Sequence, residues 1–319
     1  MKQKNKPAIS VLMSAYNSEK YIAEAIESIL NQTFGDFEFI IINDGSTDKT
    51  LKIMQKYAKK DKRIKLIDNF ENIGQTKSRN KALKIAKGKY VAIMDSDDIS
   101  LPTRLKIEYD YLERNMDIFL VGSSIRVIDE NGEYIKKKTS ITGTSKIEKT
   151  MIDKNCIFHP SIMFRNEHKD FYREKFIFSE DYDFYLNLLS RGKRLENCKE
   201  FLLFYRRSLK AIGISKKEQE ALFAKKAREF YNERKNGRYD GYRQFNPRDI
   251  LMIKTRGDLP KSMSYHKVVS FFNTGNYRNV QIYSKKYIKR YGPLNKITIY
   301  YLITTFLSPR AISILRRIT

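Results

Sequence analysis

The stretch of sequence that decides the fold is Tyr90-Val-Ala-Ile-Met-Asp95-Ser-Asp97-Asp98, an apolar run that ends in three carboxylates. Residues 91–94 are predicted to form a strand buried on both faces, because the run is too short and too β-branched for a helix. Open α/β sheets bind their ligands at the carboxyl ends of strands. Acids this close repel one another unless a cation neutralises them, and a hard divalent cation usually takes one or two carboxylates plus a substrate's phosphates. The stretch therefore predicts a metal and phosphate site, with an acidic turn before a helix N-cap as the simpler alternative.

Strands and helices alternate over the first 115 residues, which predicts an α/β fold with a mostly parallel sheet and helices on both faces. Residues 21–30 illustrate the helical pattern, with apolar side chains at 21, 22, 25, 26, 29 and 30. Pro102 is placed to open the helix that follows the acidic stretch. The predicted strands are 9–15, 37–42, 64–67 and 91–94, and the predicted helices between them are 21–30, 50–59 and 76–87.

The pattern changes after residue 117. Residues 125–135 are predicted to form a hairpin about Asn131-Gly132, and strands at 162–165 and 201–206 flank a helix at 182–190. From about residue 215 onward the chain is helical and basic. We therefore predict a catalytic domain over residues 1–215 and a basic helical region over residues 216–319.

The formal net charge of the 319 residues is +25, which indicates an anionic partner such as nucleic acid, a membrane surface or a phosphorylated substrate. Two cysteines exclude a disulfide framework and a four-cysteine zinc site, so a reducing, cytoplasmic setting is the default. The apolar segment at residues 9–13 is too short for a signal peptide, and no stretch reaches the length of a transmembrane helix.

Two more strand ends carry polar residues at the same predicted edge of the sheet. The second strand ends in Asn43-Asp44-Gly45-Ser46-Thr47, in which Gly45 allows a tight turn and Ser46 or Thr47 can cap the next helix. Asp44 is needed for neither purpose, so we interpret it as an acceptor for a base N–H. The simpler alternative is that the whole segment serves the turn.

The third strand leads into Asn72-Ile-Gly74, which makes a turn, and then into Arg79. Arg79 is predicted to lie in the first turn of the next helix, where a helix N-terminus and a guanidinium together favour anions. A solvated helix arginine is the alternative. The three junctions together predict a nucleotide-diphosphate site, although the chain has neither a G-x-G-x-x-G after its first strand nor a P-loop.

Six motifs share an order and spacing over residues 7–115: Val11-Leu-Met-Ser14-Ala-Tyr16-Asn17, Asn31-Gln32-Thr33-Phe34, Asn43-Asp44-Gly45-Ser46, Asn72-Ile-Gly74, Arg79-Asn80 and Met94-Asp95-Ser-Asp97-Asp98. Together they resemble family 2 of the inverting glycosyltransferases, of the type that builds bacterial cell-surface polysaccharides. A weaker resemblance covers residues 159–206, through His159-Pro160-Ser161, Ser179-Glu180-Asp181-Tyr182-Asp183 and Tyr205-Arg206. The resemblance implies the GT-A fold and transfer of a sugar from a nucleotide-sugar, expected to be UDP-linked, to a saccharide hydroxyl.

The resemblance also implies roles in donor binding. Ser14 and Tyr16 would contact the donor, with Tyr16 stacked near its uracil, and Asp44 would accept the N3–H of that base. Arg79 would lie near the base or the phosphates. Asp95 would contact the ribose or belong to the metal shell.

For the reaction itself, the resemblance implies that Asp97 binds Mn²⁺ or Mg²⁺, which bridges the diphosphate and stabilises it as a leaving group. Asp95 would be a second ligand, and Asp98 is a secondary candidate. Asp181 would be the general base that takes the proton of the acceptor hydroxyl, and a like charge on Glu180 beside it can raise its pKa. Without the resemblance, Glu180 and Asp181 are acids that favour a helix N-terminus.

His159 and Arg206 are further secondary candidates, although His159 before Pro160 is more typical of a packed, hydrogen-bonded histidine than of a metal ligand. Two positions depart from the family pattern. Asn43 stands where an aspartate is commoner, and Ser208 stands where many relatives have a histidine. This chain therefore has no histidine at that position to contact a metal or a phosphate.

The C-terminal region leaves two alternatives open. Residues 297–307 are aromatic and aliphatic, and Arg310, Arg316 and Arg317 follow, which is typical of a helix at an anionic membrane surface. The alternative is a helix that packs on the catalytic domain with a solvated basic face. By family analogy, a peripheral position at the inner face of the plasma membrane suits a lipid-linked saccharide acceptor.

Three other functions share some of these features. A phosphatase of the haloacid-dehalogenase type ends an apolar strand in DxD, but that strand usually comes first. A sugar nucleotidyltransferase would need a glycine-rich, lysine-bearing loop where this chain has Ser14-Ala-Tyr-Asn-Ser-Glu. A nucleic-acid-binding protein is suggested by charge alone, without a helix-turn-helix, zinc-finger or RNP signature.

Overall fold

A computed structural model of the chain describes residues 6–169, 171–207, 214–251, 268–269, 272, 277–292, 296–308 and 312. The chain forms two compact units. The first comprises Met1–Ser208 and Glu220–Pro247, and the second comprises Leu209–Gln219 and Arg248–Thr319. The functional division at residue 215 stays a prediction.

The first unit begins with a parallel sheet and its connecting helices. The strands are β1 (Ile9–Ala15), β2 (Phe37–Asp44), β3 (Ile64–Asn69) and β4 (Tyr90–Asp95). The helices are α1 (Ile22–Leu30), α2 (Thr50–Lys60) and α3 (Gln75–Ile85). β1 pairs in parallel with β2 and β4, and β2 pairs in parallel with β3. Every residue of β2 is buried, as expected for a strand covered on both faces.

The chain then adds five strands and four longer helices. The strands are β5 (Ile99–Ser100), β6 (Ile118–Ile128), β7 (Tyr134–Lys138), β8 (Met163–Arg165) and β9 (Arg194–Arg206). The helices are α4 (Arg104–Arg114), α5 (Thr144–Asp153), α6 (Glu180–Ser190) and α7 (Ile214–Lys235), and the short α8 (Pro247–Leu251) follows.

The strand order is β3-β2-β1-β4-β8-β6-β9-β5, and β7 pairs with β6 outside this path. β8 is antiparallel to both β4 and β6, and β9 is parallel to β6. Therefore β1 to β4, β6 and β9 all run in one direction, which confirms the predicted mostly parallel sheet.

The sheet curls at its carboxyl edge. In a flat sheet, four inter-strand spacings of about 4.8 Å would separate β4 from β5, a distance of about 19 Å. The four residue steps from Asp95 to Ile99 span at most about 14 Å. Because β5 nevertheless pairs with Phe204 and Leu203 of β9, the carboxyl end of β9 must come back towards the end of β4.

One buried ion pair ties α4 to the centre of the sheet. The Arg104 guanidinium and the Glu108 carboxylate, both fully buried, are 3.0 Å apart. Arg104 also donates to the carbonyl oxygens of Ile93 in β4, at 2.8 Å, and of Ile162, at 3.2 Å. Burial raises the pKa of Glu108 to about 7, and the Arg104 charge opposes that rise.

The predicted alternation over the first 115 residues is confirmed, and each strand or helix bound from 9 to 94 is within two residues of its prediction. The hairpin at Asn131-Gly132 is confirmed by the antiparallel pairing of β6 and β7. The sequence reading missed β5, α5 and the first half of β9. Residues 194–200 are mostly polar, so their strand depends on pairing with β6 rather than on an apolar pattern.

The second unit is described mainly by α9 (Tyr277–Tyr291) and α10 (Lys296–Phe306). A small apolar cluster that includes Val280 and Ile297 joins these helices, whereas Ile299 and Phe306 on α10 are exposed. In the described part of the chain, no helix has the length and apolar character that crossing a membrane requires. Ser208, Arg310, Arg316 and Arg317, which figured in the sequence predictions, lie outside the described residues.

Candidate active site

The acidic turn between β4 and β5 lies at the carboxyl edge of the sheet. Asp95 ends β4 with a side chain 27% exposed, Asp97 is exposed and Asp98 is buried. Burial raises the pKa of Asp95 to about 6, an effect that the Arg79 charge opposes and the Asp97 charge strengthens. Ser14, a predicted donor residue, pairs with Asp95 in the register of β1 and β4, so it lies beside the turn.

Arg206 holds the acidic turn from the end of β9. Its backbone N–H donates to Asp98 Oδ1 at 2.7 Å, and its Nε donates to the Asp97 carbonyl oxygen at 2.8 Å. The same guanidinium donates to the Asp129 carbonyl oxygen and to Glu24 Oε2. These contacts use the whole Arg206 guanidinium, so the role of Arg206 is to hold the acidic turn in position.

The acidic turn fits a divalent cation that shares its shell with a substrate. Asp98 Oδ2 is buried and has no hydrogen-bond partner among the described residues, and burial followed by the Asp97 and Asp95 charges raises the Asp98 pKa well above its usual range. Burial also raises the pKa of Asp97, and the Arg206 charge opposes that rise. In the described residues, no three His, Cys, Asp or Glu side chains could hold a metal on their own. Substrate phosphates and water would therefore complete the shell of Mg²⁺ or Mn²⁺.

Arg79 connects the acidic turn to α6. Its guanidinium, 4% exposed, lies 3.2 Å from Glu180 Oε1 and 3.6 Å from Asp95 Oδ1, and 5.1 Å from the centre of the Tyr172 ring. Because α3 begins at Gln75, Arg79 falls in the second helical turn, and the prediction that it shares the helix N-terminus is wrong. The alternative of a solvated arginine is also wrong, since the side chain is buried. Its role in donor binding stays a prediction.

Asp181 lies in the first turn of α6, next to Glu180. Burial, followed by the Glu180 charge, raises the pKa of Asp181 to about 7. Asn155 Nδ2 donates to Asp181 Oδ2 at 2.8 Å, and Asn155 Oδ1 accepts from the Ile157 N–H at 3.1 Å. Sequence reasoning missed Asn155, because nothing in the loop after α5 indicates which residue of α6 it meets.

Asp44 stabilises a turn, a structural role that the sequence did not predict. Its Oδ1 accepts from Ser78 Oγ at 2.7 Å and from the Ile73 N–H at 3.1 Å, and its Oδ2 accepts from the Gly74 N–H at 3.1 Å. The buried carboxylate therefore orders the turn before α3, a contribution that comes from tertiary contact rather than from its own turn. Its role towards a base N–H stays a prediction.

The loops after β1 and β2 are joined to each other. The Asn17 N–H donates to Ser46 Oγ at 3.1 Å, and the Thr47 N–H donates to Asn17 Oδ1 at 2.8 Å. Ser46 and Thr47 do not cap α2, which begins at Thr50, so that prediction is wrong. Tyr16 stands before this junction with its ring 49% exposed, which leaves it open to contact a ligand.

His159 and Tyr205 are two further residues of the candidate site. His159 is buried, its Nε2 is 2.8 Å from the Tyr172 hydroxyl, and burial lowers its pKa well below the usual range. This geometry is that of the packed, hydrogen-bonded histidine that the sequence favoured. The pKa of Tyr205 is raised by burial and then by the charges of Asp98, Asp95, Asp97 and Asp181. Tyr205 belongs to a motif noted in the sequence, but the sequence predicted no functional role for it.

Residues 10–213, more than half of the chain, match the family described as glycosyl transferase family 2. The chain belongs to glycosyltransferase family 2. It is therefore an enzyme, and its family is one of glycosyltransferases rather than of phosphatases, nucleotidyltransferases or non-catalytic proteins.

Three relatives illustrate the similarity. An uncharacterized glycosyltransferase of Methanocaldococcus jannaschii is 42% identical over 225 residues, which are 69% of this chain and 78% of the relative. The O-antigen biosynthesis glycosyltransferase WbnJ of Escherichia coli is 41% identical over 207 residues, covering 62% and 79%. The putative teichuronic acid biosynthesis glycosyltransferase TuaG of Bacillus subtilis is 32% identical over 215 residues, covering 66% and 83%.

Solved structures of S. aureus TarS share the fold. The structure of TarS 1–349 in complex with UDP has a TM-score of 0.55 and 19% sequence identity, covering 97% of this chain and 91% of that chain. The complex with UDP-GlcNAc gives a TM-score of 0.54. At this identity the likeness shows the fold alone, and it is the GT-A fold expected from the sequence.

Proposed function

We propose that this glycosyltransferase moves a sugar from a UDP-sugar to a saccharide hydroxyl with inversion at the anomeric carbon. The observation that carries the proposal is the Arg79 bridge. By contacting both Asp95 and Glu180, Arg79 brings the acidic turn after β4 close to the first turn of α6. A leaving-group site and a general base are thereby held side by side.

Asp181 is the proposed general base. A pKa of about 7 leaves a large fraction of this carboxylate unprotonated near neutral pH while keeping it basic enough to take a proton. The acceptor hydroxyl loses its proton to Asp181 as its oxygen bonds to the anomeric carbon. The bond from that carbon to the diphosphate oxygen breaks, and the nucleoside diphosphate leaves with the electron pair. An in-line attack of this kind converts an α-linked donor to a β-linked product.

Asp97 and Asp95 are the proposed ligands of Mn²⁺ or Mg²⁺, with Asp98 as a secondary candidate. When bound, the cation would neutralise charge on the departing diphosphate. The chain's own contribution is to hold the carboxylates still. Arg206 fixes the backbone of the turn through the Asp97 carbonyl and the Asp98 carboxylate, and Arg79 fixes Asp95.

The proposed donor site continues from the metal ligands along the sheet edge. Ser14 lies beside Asp95, and the exposed side chain of Tyr16 is free to stack on a base. Among the described residues, Asp44 Oδ2 accepts one hydrogen bond, from the Gly74 N–H. A carboxylate oxygen can accept a second hydrogen bond, which here would come from the base N3–H. The TarS complex with UDP supports uracil as that base.

Polysaccharide synthesis is the proposed setting. Two relatives are named for the biosynthesis of O-antigen and of teichuronic acid, which supports this setting. We further propose that the exposed apolar side of α10, with Ile299 and Phe306, contacts the inner face of the plasma membrane. Sedimentation with anionic vesicles tests this: unchanged pelleting of an Ile299→Ser/Phe306→Ser variant would contradict it.

The deciding experiment is a pair of measurements on wild type and Asp181→Asn. Calorimetric titration with UDP should show Mn²⁺-dependent binding of similar affinity in both proteins, and a UDP-sugar screen should show transfer by the wild type only. Asp153→Asn, which changes an exposed acid at the end of α5, is the matched control and should retain transfer. Loss of UDP binding in Asp181→Asn would remove Asp181 from the base role, and a product of retained configuration would refute inversion.

A further inference from the structure

A basic cluster lies on the hairpin that borders the active site. We define it as Lys136 and Lys138 of β7 together with Arg207, which follows β9. Side chains alternate along a strand, so Lys136 and Lys138 share one face of β7 and Lys137 points to the other. The Arg207 N–H donates to the Ile128 carbonyl oxygen at 2.9 Å, which places Arg207 beside the end of β6.

The cluster concentrates positive charge without a counter-charge. Partial burial of its amine, followed by the charges of Lys136 and Arg207, lowers the pKa of Lys138. Among the described residues, no ion pair joins Lys136, Lys138 or Arg207 to a carboxylate. Lysines on an edge strand commonly serve only to prevent edge-to-edge pairing. That explanation does not account for the closeness of Lys136 and Arg207 to Lys138, which is enough for their charges to lower its pKa.

Lys136 faces the same side of the sheet as Tyr205, a residue next to the acidic turn. Lys136 pairs with Val127, and Val127 pairs with Tyr205, so the three residues share a face of the sheet. Two inter-strand spacings put the Lys136 backbone about 10 Å from that of Tyr205. Tyr205 directly precedes Arg206, whose backbone N–H and Nε donate to Asp98 and to the Asp97 carbonyl oxygen of the acidic turn.

A second contact connects the cluster to the loop beside Asp181. The Lys138 ammonium lies 5.7 Å from the centre of the Phe158 ring. Phe158 belongs to the same loop as Asn155, whose amide donates to Asp181.

We propose that Lys136, Lys138 and Arg207 bind an anionic group, a phosphate or a carboxylate, carried by the acceptor whose hydroxyl reacts at Asp181. This inference rests on the proposed function, because it takes Asp181 as the base. It names the acceptor class: a saccharide that bears a negative charge near the reacting hydroxyl.

The hairpin supplies its own control. The Lys137 ammonium lies 5.3 Å from the Phe201 ring on the other face of β7. Lys136→Gln/Lys138→Gln and Lys137→Gln therefore change the same exposed strand and differ chiefly in the face that loses charge. All three lysines are exposed, so both variants should fold as the wild type does.

The first test uses inorganic pyrophosphate as the probe, titrated calorimetrically at low salt in the presence of EDTA. Without a divalent cation the acidic turn repels the probe, so binding reports the cluster. Wild type and Lys137→Gln should bind alike, whereas Lys136→Gln/Lys138→Gln should bind about tenfold more weakly. Equal affinity in all three proteins, or no binding by the wild type, would overturn the inference.

The second test measures transfer to two matched acceptors, an alkyl saccharide and the same saccharide joined to the alkyl group through a diphosphate. The double variant should raise KM about tenfold for the charged acceptor alone, with kcat unchanged. An equal KM change for both acceptors would overturn the inference and leave the proposed function intact. Absence of transfer to either acceptor by the wild type would instead contradict the proposed function, and the pyrophosphate titration would then decide the cluster separately.

A lipid headgroup could supply the same phosphate chemistry, and vesicles distinguish that source. Vesicles of phosphatidylglycerol and of phosphatidylcholine are sedimented with each protein. If the double variant loses binding to the anionic vesicles while its KM for the charged soluble acceptor is unchanged, the cluster is a membrane contact and the acceptor assignment is wrong.

Discussion

Replacement of Asn155 by alanine should move the pH dependence of sugar transfer to higher pH. In the wild type the Asn155 amide donates to Asp181 Oδ2 at 2.8 Å, and this bond lowers the Asp181 pKa from the still higher value that burial and Glu180 would give. A hydrogen bond to a charged group is worth about 1.5–3 kcal/mol when buried. Asn155 is exposed, so we take about 1 kcal/mol for the loss.

This energy converts to a shift of about 0.7 pH unit, because one pKa unit corresponds to about 1.4 kcal/mol. With the Asp181 pKa at about 7 in the wild type, the unprotonated fraction at pH 6.5 would fall about fourfold in the variant. The base acts in its unprotonated form, so the loss grows as the pH falls and disappears well above pH 8. The assay is the pH profile of kcat/KM for wild type and variant.

Asn155→Asp is the matched companion. It keeps an acceptor for the Ile157 N–H, and so preserves the turn, but replaces the donor to Asp181 with a second negative charge. Its acid limb should move further than that of Asn155→Ala. Superimposable profiles for all three proteins would refute the hydrogen-bond reasoning, and a uniform loss of rate at every pH would indicate a structural effect instead.

Three further changes follow from the geometry. Asp97→Ala should weaken UDP binding chiefly when Mn²⁺ is present; equal weakening without Mn²⁺ in calorimetric titration would count against a ligand role. Arg206→Lys keeps the charge but loses the paired hydrogen bonds to the Asp97 carbonyl oxygen and Glu24, so the Mn²⁺-dependent affinity for UDP should fall about tenfold in the same titration. An unchanged affinity would show that the acidic turn keeps its conformation without Arg206. Gly45→Ala requires a φ of +71° and puts a Cβ 2.4 Å from the Glu71 carbonyl carbon. Its free energy of unfolding in urea should drop by about 2 kcal/mol or more, and an unchanged midpoint would contradict that conformation.

The acidic turn was predictable because its signal is local. An apolar strand must end where polar residues begin, and the carboxyl ends of parallel strands meet at one edge, so the sequence alone located Asp95, Asp97 and Asp98 beside the end of β1. The same reasoning found the first four strands and the helices between them.

The contacts that complete the site were not predictable, because they depend on packing between distant segments. Arg79 and Glu180 are 101 positions apart, and nothing near either residue marks the other as its partner. The local view of Asp44 failed for the same reason, since its donors come from the next strand–helix junction. Polar strand residues at 194–200 were missed because their pairing with β6, rather than an apolar pattern, makes them a strand.

The Arg79 bridge also bears on how the chain matures during synthesis. Four strands and the acidic turn can form before α6 has left the ribosome, but at that stage the buried guanidinium has Asp95 as its acidic contact and still lacks Glu180. Docking of α6 delivers the second carboxylate and Asp181 in one step, since the two acids are consecutive residues. An incomplete chain therefore carries the acidic turn without Asp181, the proposed base, and docking of α6 completes both parts of the proposed site together.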